Sequence, residues 1–453
     1  MDTALPRSTD PATPTALSLS EALRFWLKLG FISFGGPAGQ IALMHEELVD
    51  RRRWISEKRF LHALNYCMLL PGPEAQQLAT YLGWLLHRTW GGVLAGVLFV
   101  LPSLFIIIAL AWLYMAHGDV PVIAGFFYGI KPAVTALVAQ AAYRVGSRSL
   151  KNSWHWSIAA AAFLVIFMLN VPFPLIVMAA AAVGFLGSKV RPEAFGGGTR
   201  HETGTKPSEI RPALIDDTTP APPHAKFTWR RFWHVLFVCM ALWGSVLGVL
   251  AALFGPHSPL VQMGWFFTKA ALMTFGGAYA VLPYVYQGAV ENFHWLTATQ
   301  MIDGLALGET TPGPLIMVVS FVAFVGGWTK AIFGSNSLLL AGAVAAIVVT
   351  FFTFLPSFFF ILIGGPFIES THGKLKFTAP LVGITAAVVG VILNLAVFFA
   401  YHVIWPQGLT GSIDWASIAI GLAAALALLR FKVNVIYVIV AAGLSGLLVR
   451  LWL

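Results

Sequence analysis

Charged residues are scarce in this sequence. Of its 453 residues, 10% are Asp, Glu, Lys or Arg, whereas 58% are hydrophobic. Soluble domains contain about 25% charged residues, so the composition excludes a water-dispersed globule of this length. Apolar runs that reach the roughly 20 residues needed to span a hydrocarbon core recur along the chain, as at residues 93–115. The sequence therefore predicts an all-α, polytopic integral membrane protein in contact with the lipid bilayer.

Cysteine is also rare, and familiar catalytic motifs are missing. Cys67 and Cys239 both lie in apolar segments, which predicts neither a disulfide framework nor a cysteine metal site. His45-Glu46-Glu47 lacks the second His of a zinc-binding HExxH motif, and no nucleotide-binding loop or Ser/His/Asp arrangement is found. We therefore predict that the chain is not an enzyme and that it needs neither metal nor cofactor.

Positive charge exceeds negative charge, with a formal net charge of +9. The basic residues cluster in loops between apolar runs, which is typical of the cytoplasmic loops of membrane proteins, so nucleic acid is not a predicted partner. Residues 1–20 lack the basic-then-apolar pattern of a cleaved signal peptide. We predict that they form a disordered N-terminal tail.

The chain contains an internal duplication. Three motifs recur 241 residues later, from 34 to 275, from 54 to 295 and from 71 to 312: Phe34-Gly35-Gly36 as Phe275-Gly276-Gly277, Trp54 as Trp295, and Pro71-Gly72-Pro73 as Pro312-Gly313-Pro314. Leu101-Pro102-Ser103 recurs as Leu355-Pro356-Ser357 after a short insertion. The predicted organisation is a first repeat at 21–187, a cytoplasmic linker at 188–231, a connecting transmembrane helix at 232–255 and a second repeat at 259–453.

The unpaired helix at 232–255 predicts the orientation of the second repeat. If each repeat crosses the membrane an even number of times, one extra crossing turns the second repeat upside down, as in many secondary transporters. Loop charges agree, because basic residues cluster at 51–59 whereas 270–328 contain no Lys or Arg. The positive-inside rule then places the N-terminus and the linker in the cytoplasm, with Arg450 as the exception.

Gly and Pro interrupt the apolar segments at four places, two in each repeat. Irregular backbone at membrane depth persists only where protein or a water-filled cavity surrounds it, so each segment is a re-entrant hairpin or a kinked span, and the loop charges favour hairpins. Helix N-termini at such breaks offer free N–H groups and a positive dipole end to an anion. The alternative is that these residues only kink helices and allow close packing. The predicted substrate-binding residues are Ser33, Phe34, Gly35, Gly36, Pro37, Gln40, Asn65, Pro71, Gly72, Pro73, Gln77, Thr274, Gly276, Gly277, Thr310, Thr311, Pro312, Gly313 and Pro314.

Ionisable residues within these segments are further candidates, since charge inside a membrane is costly and is usually functional. Glu74 and Glu309 flank equivalent breaks and are predicted to carry a coupling proton, or alternatively to cap half-helices. Lys28 and Lys269 are equivalent residues that either attract the anion or extend to an interface. Lys131 lies deep in an apolar segment and is a weaker candidate.

These motifs resemble those of the chromate ion transporter family. The first repeat carries Phe34-Gly35-Gly36-Pro37-Ala38 with Gln40, His45-Glu46-Glu47, Trp54-Ile55 and Leu70-Pro71-Gly72-Pro73-Glu74-Ala75, and the second carries Phe275-Gly276-Gly277 and Thr311-Pro312-Gly313-Pro314. Because both halves match, the chain resembles the long, two-domain form.

The resemblance implies a multi-pass inner-membrane protein that exports chromate, is driven by a gradient without ATP, and confers chromate resistance. Sulfate, a similar tetrahedral dianion, is the alternative cargo, and an anion channel is the alternative mechanism. Ala278 stands where the first repeat has Pro37, and Leu315 where it has Glu74, so we expect unequal contributions from the two halves. The sequence leaves the oligomeric state open, with a homodimer as one alternative.

Overall fold

The computed structural model describes residues 17–34, 36–118, 120–195, 213–216, 222–371 and 379–452. Regular structure within these residues is helical, apart from an isolated bridge between Ile55 and Ile215. The all-α prediction is confirmed. The first helix begins at Leu19, where the Ser18 side chain accepts a hydrogen bond from the Glu21 amide, and therefore starts inside the predicted tail; residues 1–16 of that tail lie outside the described residues.

The helices of the two halves correspond in order, except that α4 corresponds to both α13 and α14 and that α8 has no described counterpart. The first half contains α1 Leu19–Ile32, α2 Gly36–His45, α3 Glu57–Cys67, α4 Glu74–His117, α5 Pro121–Ser149, α6 Ser153–Leu169, α7 Phe173–Val190 and the short α8 Pro192–Phe195. The connecting helix is α9 Trp229–Phe254. The second half contains α10 Pro259–Leu272, α11 Ala278–Tyr286, α12 Ala298–Thr310, α13 Val318–Thr329, α14 Leu338–Thr371, α15 Ala379–Ile404, α16 Trp415–Leu429 and α17 Val435–Trp452.

Seven of the described helices are long and apolar enough to cross a membrane. They are Glu74–His117, Pro121–Ser149, Phe173–Val190, Trp229–Phe254, Ser335–Glu369, Ala379–Ile404 and Val435–Trp452. Two further apolar helices are shorter: α6 has 17 residues and α16 has 15. The chain is a multi-pass membrane protein.

Local backbone distortions recur between the halves at the spacing seen in the sequence. A π-helical turn at Glu46–Arg51 has its counterpart at Gln287–Asn292. The φ angle of 51° at Arg53 recurs as 50° at His294. Residues other than glycine rarely adopt positive φ, so this recurrence is strong evidence that the two halves share one fold.

Two re-entrant hairpins make up the start of the first half. Hairpin 1 is α1 with α2, and hairpin 2 is α3 with residues 74–86 of α4, which kinks at His87 and Arg88. Linker residues contact the open ends of both hairpins. Ile215 forms its bridge with Ile55, between hairpin 1 and α3, and the His224 ring donates a hydrogen bond to the Trp84 carbonyl at 3.0 Å. These segments return to the side that they leave, which we call the linker end. They are hairpins rather than kinked spans.

The second half is inverted relative to the first. The 26 residues of α9 extend about 39 Å and carry the chain from the linker end to the opposite, far end. Hairpin 3, α10 with α11, opens there, since Gln287 beyond α11 accepts a hydrogen bond from the Phe173 amide at 3.0 Å, where α6 connects to α7. Hairpin 4, α12 with α13, starts at the same end. The predicted inverted repeats are confirmed.

The last two long helices of each half pack against the other half. α5 packs against α16 and α17 of the second half, and α15 packs against α6 and α7 of the first. The crossing of α5 and α17 depends on Gly129 and Gly446, because a Cβ on Gly129 would overlap the carbonyl oxygen of Ala442. This close backbone approach is typical of small residues at membrane helix interfaces.

We expect Gly129→Ala to destabilise the protein by about 1–3 kcal/mol, the usual cost of overpacking. Thermal unfolding in detergent, followed by size-exclusion chromatography, measures this effect. The matched control is Gly244→Ala on α9, where an added Cβ lies more than 4 Å from every atom that the structure describes outside its own helix backbone. Equal melting temperatures for the two variants would contradict the proposed tight crossing.

Candidate anion site at the hairpin tips

The tips of the four hairpins meet near the middle of the helix bundle. The Gly72 amide donates to the Thr274 carbonyl, and the Gly313 amide donates to the Ser33 carbonyl, each at 2.8 Å. Gly72 and Ser33 are the sequence counterparts of Gly313 and Thr274, so a pseudo-twofold operation exchanges the two bonds. The structure therefore brings together the four sequence breaks, and it joins them across the two halves.

Glycine is required at two of these tips. Gly72 and Gly313 have φ angles of 123° and 99°, which L side chains rarely adopt. A Cβ on Gly313 would lie 2.7 Å from the Ser103 Cβ, and one on Gly72 would lie 2.6 Å from the Ser357 Oγ. Each tip therefore presses its backbone against the Leu-Pro-Ser motif of the opposite half.

Buried polar side chains line this junction, and most of them come from the first half. Ser33, Gln40, Gln76, Gln77 and Ser103 are each 0–1% exposed. The Gln40 amide donates to the Gly313 carbonyl, which ties hairpin 1 to hairpin 4. The Gln77 amide donates to the Pro71 carbonyl at 2.7 Å, inside hairpin 2. The junction is therefore lined by polar groups that are buried away from bulk solvent.

Five oxygen atoms in this lining have no hydrogen-bond partner in the described structure. They are the Oγ atoms of Ser33 and Ser103 and the Oε1 atoms of Gln40, Gln76 and Gln77. Leaving a buried polar group unpaired costs about 1–3 kcal/mol, so such groups usually have a partner that the protein itself does not supply. The serine hydroxyls are free to donate to an anion, and the amide oxygens are free to accept from water.

Helix termini add a favourable field. α2 begins at Gly36 and α4 begins at Glu74, with Pro73 as its N-cap, so both start at the tips. The N-terminal end of a helix carries a partial positive charge and unpaired N–H groups. Together with the two serine hydroxyls, these termini suit a small oxyanion better than a cation.

The second half supplies different chemistry. At the positions equivalent to Gln40, Gln76 and Gln77 it carries Val281, Met317 and Val318, 241 residues later. It contributes instead an acid–phenol pair, in which the Tyr279 hydroxyl donates to Glu309. This arrangement agrees with the expectation that the halves contribute unequally.

Several of the predicted site residues do not offer free polar groups to the junction. Lys28, Lys269, Asn65, Phe34 and Gly276 are exposed, and Gly35 lies outside the described residues. The Lys269 ammonium lies 5.9 Å from the ring centre of Trp265, a placement that fits extension to an interface. The hydroxyls of Thr274, Thr310 and Thr311 donate to carbonyls of their own helices, those of Ala270, Ala306 and Gly308.

The remaining predicted residues shape the tips. Pro312 and Pro314 are buried, and Pro314 precedes the 3₁₀ turn Leu315–Met317. Pro37 is the second residue of α2, and Gly277 is the N-cap of α11. Glu74, the first residue of α4, is partly exposed.

Sequence reasoning missed Ser103, Gln76 and Ser357 as site residues. The recurrence of the Leu-Pro-Ser motif was the available signal for the two serines, since a polar residue repeated inside long apolar helices indicates a functional position. The signal for Gln76 was its place beside Gln77, directly after Pro71-Gly72-Pro73, although the second half has Met317 at its position.

Inverted halves whose broken helices meet at the centre of the bundle are an architecture found in many membrane transporters. The chain belongs to the chromate transporter family, whose sequence profile matches residues 20–185 and 261–447. The family resemblance found in the motifs is thereby confirmed.

Relatives from several organisms support this assignment. The chain is 34% identical over 449 residues to a chromate transport protein of Pseudomonas aeruginosa, covering 98% of this chain and 95% of that protein. It is 29% identical over 442 residues to a chromate transport protein of Cupriavidus metallidurans, covering 96% and 94%. The uncharacterized transporter YwrB of Bacillus subtilis matches 142 residues at 28% identity, 31% of this chain and 72% of that protein. No solved structure matches the chain.

Proposed function

We propose that this protein is a gradient-driven secondary transporter that exports chromate across the cytoplasmic membrane and confers chromate resistance. The observation that carries this proposal is the pair of buried hydroxyls of Ser33 and Ser103 where the hairpin tips meet, neither of which has a hydrogen-bond partner among the described residues. A tetrahedral dianion fits such a cluster of donors. Chromate is the proposed cargo because the Pseudomonas and Cupriavidus relatives are named chromate transport proteins.

The charge distribution supports an orientation of the protein in the membrane. Arg51, Arg52 and Arg53 lie at the open end of hairpin 1, whereas hairpins 3 and 4 contain no Lys or Arg from residue 270 to residue 328. The positive-inside rule therefore makes the linker end cytoplasmic. In the proposed export, cargo therefore enters from the linker end and leaves at the far end.

The inverted architecture supports alternating access. Two exchanged bonds, Gly72 to Thr274 and Gly313 to Ser33, join the hairpins of one half to those of the other. If one bond breaks while the other is kept, two conformations result, depending on which bond breaks. The pseudo-twofold axis relates these conformations, so one exposes the junction to the linker end and the other exposes it to the far end. Such rocking of one repeat against the other around a fixed site is common among inverted-repeat transporters.

Glu309 and Glu74 are the proposed proton carriers. We expect Glu309→Gln to remove stimulation of chromate flux by a pH gradient, while exchange of labelled for unlabelled chromate continues, since exchange needs no net proton movement. Glu74→Gln is expected to weaken the same stimulation. Flux assays in proteoliposomes check both results, with Glu291→Gln, an exposed acid at the far end, as the control. Unchanged stimulation in both site variants would remove the two acids from coupling.

The proposed function is tested by uptake of radiolabelled chromate into everted membrane vesicles, with and without a pH gradient. We expect uptake that collapses when an ionophore removes the gradient and that an equal concentration of sulfate does not reduce. Vesicles without the protein supply the background. Equal competition by sulfate would reassign the cargo to tetrahedral dianions in general, flux at channel rates would favour a channel, and no oxyanion flux would contradict transport.

A further inference from the structure

A second polar cluster lies on the far-end side of the hairpin tips. Asp303 on α12 is 2% exposed and lies about two helical turns before the tip of hairpin 4. Its Oδ2 accepts a hydrogen bond from the Tyr114 hydroxyl at 2.8 Å. The Lys131 ammonium lies 3.6 Å from the same oxygen, beyond hydrogen-bond length. The other carboxylate oxygen, Oδ1, is buried and has no hydrogen-bond partner in the described part of the chain.

A comparable cluster at the linker end is fully bonded. Glu369 on α14 has one oxygen 2.7 Å from the Arg59 guanidinium and the other 2.5 Å from the Tyr81 hydroxyl. The Glu369 side chain is 4% exposed. This cluster joins hairpin 2 to the opposite half with both carboxylate oxygens satisfied, as expected of a buried ion pair with a structural role. The Asp303 cluster joins hairpin 4 to α4 and α5 in a similar position, but its bonding is incomplete.

Lys131 is the member of the cluster that is accessible to an anion between the tips and the far end. Its side chain is 27% exposed, whereas Asp303 is enclosed. Among the described residues, the charged and titratable groups that interact with Asp303 are Lys131 from α5 and Tyr114 from α4. A lysine held loosely by one carboxylate, at membrane depth and beside the proposed pathway, is expected to have a functional role.

We propose that Lys131 is a second oxyanion-binding residue, between the tips and the far end, and that Asp303 is the internal carboxylate that the cargo displaces from it. This inference rests on the proposed function. A tetrahedral dianion carries more charge and more acceptor oxygens than the carboxylate, so it competes for the ammonium through charge-assisted hydrogen bonds. The displaced carboxylate keeps its hydrogen bond from Tyr114, and the ion pair re-forms when the anion leaves.

Equilibrium binding of radiolabelled chromate to the purified full-length protein tests the inference. We expect Lys131→Met to raise the Kd roughly tenfold, the loss of one charge-assisted contact. Asp303→Asn is expected to lower the Kd roughly tenfold and to slow turnover in proteoliposomes, because the competitor that helps to release the cargo is gone. Glu369→Gln is the matched control, which loses a buried acid and thermal stability but keeps the wild-type Kd.

The double variant Lys131→Met/Asp303→Asn separates binding from folding, because it removes both charges of the ion pair together and leaves neither uncompensated. We expect its Kd to equal that of Lys131→Met, since Asp303 acts on the cargo only through Lys131. Two outcomes would overturn this inference and leave the proposed function standing, provided that the wild-type protein binds and transports chromate. One is wild-type affinity in the double variant, and the other is unchanged affinity in both single variants. Absence of oxyanion binding and flux in the wild-type protein would overturn the proposed function, and the inference with it.

Discussion

Gly313→Ala is expected to lower the initial rate of chromate transport at least roughly a hundredfold, the equivalent of about 2.7 kcal/mol. The residue has a φ of 99°, and its added Cβ would lie 2.7 Å from the Ser103 Cβ. The strained backbone and the overlap each cost about 1–3 kcal/mol. Relief of this overlap moves the tip of hairpin 4 away from Ser33 and opens the junction between the halves. Flux into proteoliposomes measures the effect.

The control for this variant is Gly334→Ala, in the connection between α13 and α14. Gly334 has a φ of 84°, yet a Cβ there meets no atom of the described residues within 4 Å. Backbone strain is therefore similar in the two variants, and only Gly313→Ala adds the contact at the tip. A Gly313→Ala protein that transports as well as Gly334→Ala would show that close contact at the tip is dispensable.

The double variant Ser33→Ala/Ser103→Ala is expected to raise the Kd for chromate roughly a hundredfold. A hydrogen bond to a charged group contributes about 1.5–3 kcal/mol, so each lost hydroxyl should weaken binding by about tenfold. Both side chains are fully buried, and their hydroxyls have no hydrogen-bond partner among the residues that the structure describes. Their loss should therefore weaken anion binding and leave the thermal stability of the unliganded protein nearly unchanged.

A buried serine outside the junction provides the comparison. The Ser320 hydroxyl is 2.8 Å from the Thr350 hydroxyl, so Ser320→Ala removes an internal hydrogen bond and should lower the melting temperature without changing the Kd. The opposite pattern, in which Ser33→Ala/Ser103→Ala loses stability and keeps its affinity, would mean that the two hydroxyls serve folding.

Much of the architecture could be predicted from the sequence, because its signals are local and repeated. Apolar length predicts the spanning helices, and the constant spacing of 241 residues predicts the duplication. The basic residues at 51–59, against their absence at 270–328, predict both the hairpins and the inversion. The helix boundaries at the N-terminus were less accurate, since Ser18 caps a helix that starts at Leu19.

The candidate site could be predicted only in part, because sequence spacing does not show where side chains point. The Gly-Pro breaks indicated the tips, yet the pairing of Gly72 with Thr274 and of Gly313 with Ser33 depends on contacts between distant halves. The hydroxyls of Thr310 and Thr311 bond to their own helix, which the sequence does not reveal. Ser103 lies in an apolar run and becomes a candidate only once Gly313 packs against it.

Chromium anomalous diffraction from crystals of the protein grown with chromate tests the central claim most directly. We expect an anomalous peak at the junction of the hairpin tips, with oxyanion oxygens within hydrogen-bond distance of the Ser33 and Ser103 hydroxyls. The peak should disappear in Ser33→Ala/Ser103→Ala at the same chromate concentration. Chromium bound only at the basic loops of the linker end, with the junction empty, would contradict this account.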